Sequence, residues 1–301
     1  MKKEELWKVY DQTYANDYNE RYLLNPFSKV SSLTELEVIK SQINNSTKWL
    51  DIGCGTGYFL SQFKGVQRAG FDISPEMINL AKEANPDALF FKEGDFRIDN
   101  ADWHGQWSLI SCMWGAYCYV DSVKEVEKVI DNMVKWNEPA GAIFLPVVDL
   151  EDVRPNTLVP YEQHIDIFGG KLDLTSVTWS WREAETGIYH EHLVSPHVEH
   201  FIKLLQPYYE KIEVVRYPPY MMGWVSRKAI LATGKRSEIK PDVLAEVVWQ
   251  DIPEPAVKTE YDSLMSPYAG IPNKHIILEL LHRLRRGIFW RGIVNRIKYR
   301  Y

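Results

Sequence analysis

The run Leu50-Asp51-Ile52-Gly53-Cys54-Gly55-Thr56-Gly57 constrains this chain more than any other stretch. A short apolar strand over residues 48–52 runs into three glycines at alternate positions, and a helix leaves through Tyr58, Phe59 and Leu60. Alternating glycines let the backbone turn tightly and let a ligand come close to main-chain atoms. The spacing is G-x-G-x-G with an acid just before it, not the dinucleotide pattern G-x-G-x-x-G. Two more acids follow at the ends of the next strands. Asp72 closes one, and Gly94-Asp95-Phe96 follows another. In open α/β sheets, ligands bind at these carboxyl ends.

The elements around the loop alternate. Trp7, Tyr10, Tyr14, Tyr18 and Tyr22 recur at steps of three, four, four and four, which is one face of a helix. Ser32 with Glu35 reads as a capping box opening a second helix, with Leu33, Leu36, Ile39 and Ile43 inward. Strands are expected over 48–52, 68–72, 88–91, 107–112 and 142–148. Helices between them start at Ser74-Pro75 and at Asp121. Such alternation means right-handed crossovers and a mostly parallel sheet. Beyond 150 the pattern changes. Residues 171–194 read as an antiparallel hairpin turned at Thr186-Gly187. Ser195-Pro196 starts another helix, and strands follow over 210–216 and 228–233. After Lys235 a proline-bearing stretch without a clean period reads as an extended arm. The expected organisation is a lid helix (1–30), a ligand-binding core (31–150), a cap insert with the hairpin (151–194), the rest of the core sheet (195–235), and an arm with a basic amphipathic tail (236–301).

Composition narrows the class. With 301 residues, 45% of them hydrophobic, the chain can bury a core without disulfides or metal. Its three cysteines, Cys54, Cys112 and Cys118, lack metal-ligand or redox spacing. Reduced thiols of this kind point to the cytoplasm. The opening MKKEELWKVY has no apolar segment, and no window is apolar enough to span a membrane. Net charge is −6, yet residues 274–301 hold eight Lys/Arg against Glu279 alone. The body is therefore strongly acidic, which disfavours nucleic acid as a partner.

With these motifs in order, the sequence resembles a class I S-adenosylmethionine-dependent methyltransferase of the small-molecule or sugar type. The resemblance covers residues from about 30 to 235. WLDIGCGTG, GFDIS, the GDF after the third strand and SLISCMW ending the fourth carry it. It implies an α/β fold with a doubly wound, Rossmann-like, seven-stranded, mostly parallel sheet, the hairpin as cap and a C-terminal helical arm. It also implies S-adenosyl-L-methionine as cofactor. Asp51, Gly53, Gly55 and Gly57 are expected at its methionine part, Asp72 at the ribose, Asp95 with Phe96 at the adenine, and Met113 beside the methionyl group, with Ile73 also a cofactor-binding residue. The chemistry of the loop agrees: a sulfonium is a cation, the side chains offered are carboxylates, and no Lys or Arg stands in the loop for a pyrophosphate.

The acceptor side is less specified. YDQTYANDYNERY resembles the opening of small-molecule and sugar N-methyltransferases, where an N-terminal helix closes over the site. Tyr14 is thus a candidate at the acceptor and Tyr18 at the cofactor, against a plain packing face. Tyr117 is a candidate to orient an acceptor hydroxyl, or a wall residue. His164 in the cap insert is a candidate general base, against a surface histidine. His190 and His192 are expected on one strand face, as are Trp179 and Trp181 on the partner strand. No third metal ligand is evident, so no metal is expected and stacking on a sugar or a dimer contact suits the hairpin better. The tail stripe Ile277, Leu280, Leu281, Leu284 and Ile288 fits an anionic membrane surface, a protein partner, or packing on the acidic body. The expected activity is O- or N-methylation of a small molecule, a sugar or sugar nucleotide first. The rivals are an RNA or protein methyltransferase and a silent cofactor-binding scaffold.

Overall fold

The structure, a computed structural model, describes residues 10–24, 28–149, 165–167, 170–172, 176–182, 187–217, 228–239 and 242–251, with Leu281 and Leu284. Trp7, His164 and the rest of the basic tail lie outside the described residues.

The strands are β1 (Lys48–Ile52), β2 (Gln67–Asp72), β3 (Phe90–Glu93), β4 (Trp107–Ser111), β5 (Asn137–Val147), β6 (Ile165–Ile167), β7 (Gly170–Leu172), β8 (Ser176–Arg182), β9 (Tyr189–Pro196), β10 (Tyr209–Arg216), β11 (Lys228–Lys235) and β12 (Glu246–Asp251). The helices are α1 (Gln12–Tyr18), α2 (Lys29–Gln42), α3 (Tyr58–Ser61), α4 (Pro75–Ala84), α5 (Val123–Trp136) and α6 (Val198–Leu205). Eight strands form the main sheet in the order β12-β10-β11-β5-β4-β1-β2-β3. β1 pairs in parallel with β2 and β4, β2 with β3, and β4 with β5. β11 runs antiparallel to both β5 and β10.

Strand alternation builds a three-layer core. Leu50 and Ile52 of β1 face a cluster holding Val126, Ile130 and Met133 of α5 with Phe201 and Leu205 of α6. Trp49 faces the other way, onto Val38 and Ile39 of α2, Leu60 of α3 and Ile78 of α4. Successive strand residues point to opposite faces, so a sheet covered on both sides reads as one continuous apolar run. Strand order reverses at β1, between β4 and β2, and the carboxyl ends there open a crevice.

Several boundaries differ from the expectation. The sheet has an eighth strand: β12 lies in the segment read as an arm and pairs in parallel with β10. Val247, Val248 and Trp249 suit a strand, but the prolines around them hid the period. Ser122, not Asp121, caps α5, its hydroxyl accepting the Glu125 N–H at 3.3 Å. β9 runs through Pro196, and His197 caps α6. α2 opens at Ser28, so Ser32 and Glu35 are not its cap. Both are buried, the Ser32 hydroxyl donating to the Leu23 carbonyl and Glu35 accepting from the Tyr217 hydroxyl.

The hairpin departs most instructively. Trp179 pairs with Leu193, but Trp181 pairs with His190, so two residues of β9 oppose one of β8. His192 adopts a positive φ of 54° at this bulge, its N–H donating to the Ser180 hydroxyl. The extra residue breaks the two-residue alternation. His190 is buried and His192 exposed, so the two histidines do not share a face.

Candidate functional site

The glycine loop is built on left-handed backbone. Gly53, Gly55 and Gly57 have φ of 64°, 52° and 69°. At Gly53 a Cβ would stand 2.6 Å from the Ala116 Cβ, so the requirement there is steric as well as torsional. The loop's amides are turned into the protein. Gly53 and Cys54 N–H both donate to the Phe71 carbonyl, Gly55 N–H to the Asp72 carboxylate and Gly57 N–H to the Cys54 carbonyl. A phosphate-binding loop aims its amides at the anion instead.

One cavity lies over this loop. Gly53, Gly55, Asp72, Ile73, Asp95, Phe96 and Met113 line it, together with Tyr14 and Tyr18 from α1. Asp51 and Gly57 lie just behind the lining. Asp51 is buried and accepts the Ser111 hydroxyl at 2.6 Å. Gly57 packs against Ala81 and Asn85, whose side-chain amide donates to the Gly57 carbonyl. Tyr117 does not line the cavity. Its ring is buried against Phe201, and its hydroxyl accepts the Val148 N–H at 2.8 Å. Burial and that bond make it a core residue joining the segment after β4 to the end of β5, not one facing an acceptor.

The carboxyls differ. Asp72 spends one oxygen on the Gly55 N–H at 2.8 Å and the other on the Ser74 N–H at 2.9 Å. A carboxylate has about four acceptor sites, so capacity remains for two hydroxyls. Burial raises Asp72 above its ordinary value, against the pull of these amides. Burial pushes Asp51 up to about 8, opposed by the Ser111 hydroxyl and aided by the Asp72 charge. At Asp95 burial also pushes upward, but Arg97 outweighs it and holds the carboxyl below its ordinary value. The Arg97 guanidinium lies 2.6 Å from Asp95 and 3.4 Å from Glu125, which sits beside the α5 cap. The sequence pattern marks Asp95 but not Arg97 two residues on, and the contact to Glu125, twenty-eight residues away, has no local signal.

The roof is aromatic. Asp11 caps α1 by accepting the Tyr14 N–H, and the helix widens into a π-helical turn, Asn19–Leu23. π turns recur at functional sites. Tyr14 donates its hydroxyl to that of Tyr22 at 3.0 Å, and both pack on Met77 of α4. The Thr56 hydroxyl donates to Asn19 Oδ1 at 2.6 Å, so the roof is tied to the glycine loop itself. Tyr119, Asp121, Trp179 and Leu193 also line the cavity. Among the described residues, no group of three or more His, Cys, Asp or Glu could hold a metal, and no helix is long and apolar enough to cross a membrane.

The donor set fits S-adenosylmethionine. The loop admits close approach at Gly53, Asp72 suits a ribose diol, Arg97 in the same lining is already paired with Asp95, and the Gly53, Cys54, Gly55 and Gly57 amides are spent within the protein rather than aimed at an anion.

Comparison with known proteins agrees with this geometry. A methyltransferase-domain family model matches residues 22–205. A dTDP-3-amino-3,4,6-trideoxy-alpha-D-glucopyranose N,N-dimethyltransferase of Streptomyces venezuelae is 23% identical over 142 residues, which are 46% of this chain and 58% of that protein. An uncharacterized protein of Methanocaldococcus jannaschii is 35% identical over 102 residues, 31% of this chain and 35% of its own. The chain thus spans little more than half the length of the first of these curated relatives. Among solved structures, the S-adenosylmethionine-bound amino pentose methyltransferase CalS10 of Micromonospora echinaspora has a TM-score of 0.47 at 17% identity, covering 75% of this chain and 98% of that one. DesVI of Streptomyces venezuelae has a TM-score of 0.46 at 17% identity, covering 69% and 92%. From the family model and the four motifs together, the chain belongs to the class I S-adenosylmethionine-dependent methyltransferases.

Proposed function

We propose that this protein methylates an oxygen or nitrogen of a small molecule, a sugar or sugar nucleotide in the first instance, with S-adenosylmethionine as donor. The observation that carries the reading is the inward turn of the loop amides beneath an acid-lined cavity that continues under aromatic rings. The first part suits a sulfonium and a ribose. The second suits the apolar faces of a sugar ring. The named acceptors of the Streptomyces relative and of CalS10, both amino sugars, support the same class.

When bound, S-adenosylmethionine supplies an electrophilic methyl group on a positively charged sulfur. The chain's own residues do the rest. Asp72 would hold the ribose while fixing the Gly55 and Ser74 amides. Phe96 and Ile73 would contact the adenosine part. The Gly53 backbone and Met113 would receive the methionyl end, and Tyr14 and Tyr18 would close over the site and exclude water. Charge disperses as methyl transfer proceeds, so alignment and dehydration account for much of the acceleration.

The test has two stages. Calorimetry with S-adenosylhomocysteine, NAD and ATP should show binding of the first alone; binding of either nucleotide in its place would remove the reading. Methyl transfer should then be assayed on dTDP-amino sugars, bulk RNA and protein. Transfer to RNA or protein would move the acceptor class. Tight cofactor binding with no transfer to anything would mark a silent scaffold.

A further inference from the structure

Tyr119 lines the cavity, at the end of the segment that follows β4. Its hydroxyl lies 3.2 Å from His190 Nδ1, and the two rings meet edge to face with centroids 5.8 Å apart. His190 is 1% exposed. It stands on β9, seventy-one residues away in the chain. The bulge at His192 brings it there. Without the extra residue, His190 and Leu193 would point to opposite faces of β9. With it, both are buried, Leu193 lining the cavity and His190 reaching Tyr119, at the cost of a left-handed non-glycine residue. Bulges are used next to active sites to re-aim a side chain, and such strained residues cluster there. The wall around the pair is itself held: Trp179 Nε1 donates to Ser195 Oγ at 2.7 Å, and Ser195 Oγ lies 3.4 Å from Cys118 Sγ.

We propose that Tyr119 and His190 form the proton-accepting dyad of the reaction, which rests on the methyl-transfer reading above. As the bond from the methyl carbon to the acceptor's oxygen or nitrogen forms and the carbon–sulfur bond breaks, the acceptor's proton passes to Tyr119 Oη. The Tyr119 hydroxyl proton passes to His190 Nδ1. The positive charge that leaves the sulfur ends on the imidazole, so charge is conserved without any further reactant. Tyr119 is the catalytic residue; His190 receives its proton and orients its hydroxyl. The scheme requires the His190 tautomer that carries its proton on Nε2.

That tautomer can be tested without an acceptor. Long-range ¹H–¹⁵N spectra of the S-adenosylhomocysteine complex should show an unprotonated His190 Nδ1, and its resonance should shift in Tyr119→Phe. A protonated Nδ1 that donates to Tyr119 overturns the proposal, because no lone pair is left to receive the proton. If the complex does not form at all, the methyl-transfer reading has failed, a different result from a wrong tautomer in a complex that does form. With an acceptor found in the panel above, Tyr119→Phe and His190→Asn should each lower kcat about 10²–10⁴-fold. Cofactor affinity should stay at the wild-type value. Asn can still accept a hydrogen bond from Tyr119 but cannot take its proton, so full turnover by His190→Asn would also sink the dyad.

Discussion

The Asp72 carboxylate holds the Gly55 N–H at 2.8 Å, so the acid at the end of β2 fixes the glycine loop that begins after β1. Under the proposed function the same side chain also takes the ribose, which would join loop shape and cofactor affinity in one residue. Asp72→Ala should therefore weaken S-adenosylhomocysteine binding by about 1–3 kcal/mol, as lost hydrogen bonds to a charged group do. Unchanged affinity by calorimetry would take Asp72 out of the site.

Gly53 faces two constraints at once. A left-handed non-glycine residue costs about 1–2 kcal/mol, and a Cβ here would collide with the Ala116 Cβ at 2.6 Å. Gly53→Ala should lower the melting temperature and abolish measurable cofactor binding. Adding Ala116→Gly should return part of the stability and leave the torsional strain. A Gly53→Ala protein with wild-type melting and binding would show that the loop is not as tight as drawn.

Tyr117 and Tyr119 are two residues apart and are expected to fail differently. Tyr117→Phe leaves the Val148 N–H without its acceptor, a loss of about 1–3 kcal/mol for a buried group. Denaturant unfolding should show that loss while cofactor affinity holds. A fully stable Tyr117→Phe with no turnover would return Tyr117 to the acceptor's side.

Glu35 adds a pH dependence. Burial pushes it up to about 8, against the Tyr217 hydroxyl and helped by the Asp51 charge. Asp51 stands at about 8 as well. An unfolded carboxyl titrates near ~4, so between these values the folded chain binds more protons than the unfolded one. Stability should fall as pH rises through that window, and Glu35→Gln should make the fall shallower. A cation beside Asp51 favours the ionised form, so cofactor binding should release protons and tighten toward pH 8. Calorimetry in buffers of different ionisation heat measures that release; none below pH 8 would contradict the buried acids.

The sheet was legible because its strands are continuous apolar runs and its loops carry glycine and acid at their ends. Asp72 and Asp95 could be found at strand ends for that reason, whereas Met113 came only from the resemblance; all three line the cavity. Position along the chain could not tell Tyr117 from Tyr119, since both follow a kink at Trp114 and Gly115, which have positive φ, and Tyr117 lies inside the short helix Met113–Cys118 while Tyr119 stands just past its end. Nor could it place His190, whose direction depends on a one-residue bulge two positions further on. Ser32 and Glu35 have the pattern of an exposed cap yet lie buried, because α2 begins a turn earlier. These are tertiary outcomes that local pattern does not encode.

β12 has a consequence for anyone trimming this chain. It covers the outer backbone of β10, a strand whose Ile212, Val214 and Val215 are fully buried, and Arg216 pairs with its Asp251 at 3.1 Å. A truncation before Glu246 would strip that cover and leave the unpaired backbone edge of the eight-residue β10 as a template for a neighbouring molecule. The shortened protein should precipitate at concentrations the longer one tolerates, with its methyl-donor cavity still intact.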